Sequence, residues 1–75
     1  MKTNARLSHV WKLGEYAIAH FIVNGLQWRI RFAISSASWL QEHIGHHFLA
    51  CQSGGETFIH VHGVLKPGIQ AHRGI

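Results

Sequence analysis

The alternation of apolar and polar positions is clearest in "EYAIAHFIVNGLQWRIRFAIS", residues 15–35. Two strand-like runs flank Asn24-Gly25, a pair suited to a type I′ turn because both central residues there need positive φ. A two-residue turn sets Val23 against Leu26, Phe21 against Trp28, Ala19 against Ile30 and Ala17 against Phe32. This face is wholly apolar and is expected to form the core. The opposite face carries Tyr16, Ile18, His20 and Ile22 beside Gln27, Arg29 and Arg31. In that register His20 lies across from Arg29, and Ile18 from Arg31.

The flanking segments give weaker patterns. "LSHVWKLG" (7–14) alternates Leu7, His9, Trp11 and Leu13 with Ser8, Val10 and Lys12, and reads as a short strand ended by Gly14. "SSASWLQEHIGHHFLACQSGG" (35–55) reads as a helix capped by Ser36 or Ser38. Ala37, Leu40, Ile44, Phe48 and Cys51 recur there at helical spacing and make one apolar stripe. Gly45 would cost that helix about 1 kcal/mol relative to Ala, and Gly54-Gly55 would end it. "ETFIHVHGVL" (56–65) reads as the last strand, with Thr57, Ile59 and Val61 turned to the helix and Phe58, His60, His62 and Val64 turned away.

These elements predict one domain over residues 1–75, with 1–6 and 66–75 as irregular tails. The expected fold is α+β: a small antiparallel sheet of three to four strands around the central Asn-Gly hairpin, with one helix packed on one face.

Composition adds constraints. A chain of 75 residues buries only roughly 60% of its unfolded surface, so its core is thin. Only 13% of residues are charged, while 47% are hydrophobic. So little surface charge favours a protein partner or a homodimer closed by Ile18, Ile22 and Val64. Seven Lys/Arg oppose three Glu, giving +4 with histidine neutral. That balance suits phosphate, nucleic acid or an acidic protein surface. Cys51 is the lone cysteine, which excludes an internal disulfide and fits a reducing cytoplasm. No stretch approaches the roughly 20 apolar residues of a membrane-spanning helix, and "MKTNARLSHVWKL" has no apolar leader core. A soluble cytoplasmic protein without membrane contact is expected.

The eight histidines raise three chemistries. His43 and His47, with His60 and His62, have spacings that could reach one zinc ion, but no CxxC or HExxH signature accompanies them. His60 and His62, if they share the outer face with His20, Arg29, Arg31 and Tyr16, could serve a small histidine-dependent nuclease. No Asp is present to orient a histidine, and no GxSxG motif occurs. The same six residues could instead hold an RNA or DNA strand, or a protein. The leading reading is a small basic, non-enzymatic binding module without a cofactor. It would act as an inhibitor or regulator covering a protein or protein–nucleic acid assembly through Tyr16, His20, Arg29, Arg31, His60 and His62. Its size and lack of catalytic signature fit the general run of small phage- or plasmid-encoded regulators.

Overall fold

Asn24 and Gly25 both adopt positive φ, 52° and 81°, and the hairpin they close has the register expected from its sequence. Val23 pairs with Leu26, Phe21 with Trp28, Ala19 with Ile30 and Ala17 with Phe32. The computed structural model describes residues 2–70, and the side chains of residues 3–69. Among them, three more hairpins use two-residue turns. Leu13 pairs with Tyr16 around Gly14-Glu15, Ser53 with Glu56 around Gly54-Gly55, and Val61 with Val64 around His62-Gly63. His62 and Gly63 repeat the Asn-Gly solution, with φ of 56° and 72°. Histidine is among the few non-glycine residues enriched in that left-handed region.

The elements are β1 (Lys2–Leu13), β2 (Tyr16–Val23), β3 (Leu26–Ala33), a 3-10 turn (Ile34–Ser36), α1 (Ala37–Glu42), β4 (His47–Ser53), β5 (Glu56–Val61) and β6 (Val64–Gln70). The strands close into an antiparallel barrel in the order β1-β2-β3-β6-β5-β4. The expected α+β sheet with a helix on one face is therefore incorrect. Residues 2–6 and 66–70 are strand, not tail; residues 71–75 lie outside the described part.

All six strands have two neighbours, and closure depends on β1 and β6, which divide theirs along their length. The first half of β1 pairs with β4 and the second half with β2. Most of β6 pairs with β5, and its end, Ile69 and Gln70, pairs with β3. Strands that change partner in this way let a short chain wrap one core without leaving a free pair of sheets.

The expected long helix fails at Gly45. Its φ of 94° ends helical geometry, and its N–H donates to the Leu7 carbonyl at 2.7 Å. The Leu7 N–H in turn donates to the His46 carbonyl at 3.0 Å, so the chain is already joining β1. It continues directly into β4, in which Ala50 faces inward while Leu49 is exposed. Ile44, a member of the expected stripe, is exposed. Only Ala37 and Leu40 of α1 are buried, and they plug one end of the barrel. Ser36 stands at the N-cap but makes no side-chain capping bond.

Inside, large and small side chains alternate. Phe21, Trp28, Ile30, Phe32, Leu7, Leu40 and Ile59 interleave with Ala5, Ala17, Ala19, Ala37 and Ala50. Thr57 and Val61 are buried beside Ile59 as expected. Leu26, assigned to the core from its alternation, is 48% exposed because it borders the turn. Phe21 is fully buried and meets Phe48 edge-on at 5.6 Å. Phe21→Ala is therefore expected to cost about 3–5 kcal/mol, read from urea unfolding midpoints at constant m-value. A loss below about 1 kcal/mol would remove Phe21 from the centre of the core.

Candidate binding face

The register between β1 and β2 shifts between Leu7 and His9. One extra residue, Ser8, is accommodated as a bulge, and its hydroxyl donates to the His20 carbonyl at 3.2 Å. The shift reverses the inside–outside phase of β1. Ala5 and Leu7 point into the barrel, whereas His9, Trp11 and Leu13 point out. Sequence alternation placed Leu7 with His9, Trp11 and Leu13, and the bulge separates it from them.

Outward side chains consequently form rows across β1, β2 and β3. One row is His9, His20, Arg29 and, on β6, Ile69. The next is Trp11, Ile18 and Arg31, followed by Leu13, Tyr16 and Ala33. Successive rows lie about 7 Å apart. Trp11 packs on His20 with ring centroids 4.4 Å apart. The Arg31 guanidinium lies over the Tyr16 ring at 4.4 Å, a cation–π contact that fixes both side chains. Trp11, Leu13, Tyr16 and Ile69 all remain exposed.

Two adjoining clefts mark this face. One, of about 190 Å³, is lined by Trp11, Leu13, Ile18, Arg29, Ile30, Arg31 and Ile69. The other, of about 370 Å³, is lined by Arg29, Ile30, Arg31, Lys66, Pro67 and Ile69. The second opens where β3 and β6 part. Among the described residues their ladder has only the pairs Trp28–Gln70 and Arg29–Ile69. Pro67, which has no N–H for a ladder, stands at the parting. Gly68 next to it packs beside Trp28, where a Cβ would meet the Trp28 Cβ at 3.4 Å, an ordinary van der Waals contact. Lys66 reaches across with its ammonium 5.1 Å from the Phe32 ring centroid. No glutamate lines either cleft. Glu15 lies in a turn, Glu56 starts β5 beside one, and Glu42 ends α1.

His20 is half-buried, and its Nε2 is shut off from solvent without a hydrogen-bond partner among the described residues. Its pKa is lowered from 6.5, first by burial and then by the charges of Arg29 and His9, with Gln27 acting in the opposite direction.

Of the six residues selected from sequence, Tyr16, His20, Arg29 and Arg31 share this face. His60 is exposed on β5 opposite Leu65, with β6 between it and β3. His62 lies in a turn rather than a strand, and its ring packs on Trp39 of α1 at 3.9 Å. Trp39 also stacks with His43 at 3.9 Å, and the His43 ring nitrogen Nδ1 is 2.7 Å from the Trp39 carbonyl. His47 starts β4 opposite Arg6. The four histidines considered for zinc thus occupy α1's end, β4, β5 and a turn. Among the described residues no three His, Cys, Asp or Glu side chains converge as metal ligands. Trp11, Leu13, Lys66 and Ile69 were not selected from sequence. The bulge and the β6 path that bring them together leave no local signature, although an isolated Trp beside basic residues was a signal available in "HVWKL".

The lowered pKa of His20 has a defined consequence. The unfolded chain, with an ordinary histidine, takes up the proton first as pH falls. This contribution to stability is complete above pH about 6.5 and declines as pH drops through 6.5 toward the folded-state value. His20→Gln should flatten the fall in urea midpoint between pH about 7.5 and 5.5. An unchanged slope would assign that pH dependence to other histidines.

No family model, no curated protein and no solved structure matches the chain.

Proposed function

We propose that this chain is a small non-enzymatic binding module, an inhibitor or regulator in kind, that covers an acidic macromolecular partner. The partner is a protein surface or a protein–nucleic acid assembly, engaged by the outer face of β1, β2, β3 and β6. One observation carries the reading. Arg29 and Arg31 flank a cleft with an apolar floor of Trp11, Leu13, Ile18 and Ile69, and no glutamate lines it. Guanidinium groups give charge-assisted, directional contacts, and the apolar floor supplies area that water leaves on binding.

A nuclease on this face has less support. The row His9, His20, Arg29 resembles an acid–base pair beside a cation, but the His20 Nε2 is sealed from any substrate. His60 and His62 stand elsewhere. Among the described residues no helix is long and apolar enough to cross a membrane. A cytoplasmic setting is in keeping with the single free Cys51.

Heparin retention tests the reading with two charge reversals of equal size. Arg31→Glu removes a cation from the face, whereas Lys12→Glu removes one from β1 on the opposite phase to Trp11. Arg31→Glu is expected to elute at clearly lower salt than Lys12→Glu, with circular dichroism unchanged in both. Equal shifts would mean that net charge alone governs retention and would remove the face.

A further inference from the structure

We infer that the part of a protein–nucleic acid assembly that this face contacts is its single-stranded nucleic acid, an inference that rests on the binding-face reading above. Arg29 and Arg31 border two contiguous clefts that meet along Ile69, whereas Lys66 lines only the second and stands on the inward phase of β6, opposite buried Ile59. The two arginines form a cationic margin beside the Trp11 ring, which is 42% exposed, while the Tyr16 ring lies under Arg31. A single strand presents charge and planar rings side by side: phosphates along its backbone and unstacked bases beside them. Phosphates fit the cationic margin, and bases fit the indole and the aliphatic floor. An acidic peptide matches the charges but presents rings only where its sequence holds aromatics, whereas every nucleotide of a single strand carries one planar base beside its phosphate. A duplex matches the charges too but keeps the faces of its bases inside its own stack. The Arg31–Tyr16 contact holds a guanidinium in place before binding, so less side-chain freedom is lost on association. The bulge at Ser8 is what turns Trp11 outward, and bulges commonly re-aim side chains beside functional sites.

The test uses the full chain and labelled oligonucleotides of about ten nucleotides, a length within the usual range for small single-strand-binding barrels. Oligouridylate, oligothymidylate, a duplex of equal length and poly-glutamate as competitor make up the arms. Binding of either single strand more tightly than the duplex is expected, and the RNA and DNA arms show which sugar is preferred. With two cations engaged, the logarithm of the binding constant should fall with the logarithm of salt with a slope of about −1.4. Trp11→Leu should weaken binding about tenfold or more while the fold is kept, through lost stacking. Arg31→Gln should reduce the slope by about 0.7. Equal or tighter duplex binding, or displacement by poly-glutamate at equal charge, overturns the inference and leaves the binding face standing. Failure of every polyanion, with the protein folded or self-associated through this face, overturns both.

Discussion

One inserted residue in β1 sets the character of the whole outer surface. Without the bulge at Ser8, strict alternation after Leu7 would send His9 and Trp11 into the barrel and Val10 to solvent. The interior has no space for them, because the residues they would meet, on β2 and β3, already fill it with Phe21, Trp28, Ile30 and Phe32. The bulge resolves this by keeping Leu7 inside and returning Val10 to partial burial against the core. It also increases local twist, which helps β1 leave β4 and join β2. Closure of the barrel and exposure of Trp11 are therefore linked through the same residue.

The interior obeys a matching constraint on volume. Ala17 and Ala19 on β2 stand opposite Phe32 and Ile30, and Phe21 stands opposite Trp28. Large residues on one strand are met mainly by small ones on the next, as a narrow barrel requires. Little volume remains, so α1 contributes only Ala37 and Leu40 as a plug. A helix of six residues is marginal alone in water; its place is secured by that burial and by Trp39, which reaches Phe48 and His62. The Trp28 N–H is buried without a partner among the described residues, a cost that the ring's burial must outweigh.

The legible parts of the sequence were those written in local chemistry. Asn24-Gly25 specified its turn, the turn specified the register, and the register placed Tyr16, His20, Arg29 and Arg31 together. The same grammar at Gly54-Gly55 and His62-Gly63 marks hairpins, but a helical reading of the preceding segment concealed the first. Ala37, Leu40, Ile44, Phe48 and Cys51 fit a helical period by spacing alone, while "HFLACQS" also fits a period of two. Short apolar runs carry both signals, and here the tertiary bonds of Gly45 and His46 to Leu7 decide the outcome. Non-local facts were not legible. Nothing near Ser8 announces a bulge, and nothing near Pro67 announces that β6 will leave β5 for β3.

The composition of the outer face is the feature that the fold does not require. Solvent-side strand positions accept threonine, serine or lysine at little cost, and a thin-cored chain gains nothing from displaying large apolar side chains to water. Yet positions 11, 13, 16 and 69 hold Trp, Leu, Tyr and Ile, all exposed and gathered on one side. Lys12, between two of them, points the other way, and the three glutamates lie outside both clefts. Packing explains why Trp11 faces outward, but it does not explain why the residue there is tryptophan. Charge explains solubility, but it does not explain why Arg29 and Arg31 border both clefts. Both are accounted for if the surface is built to bury flat groups next to negative charge, which is the chemistry of a contact rather than of a core.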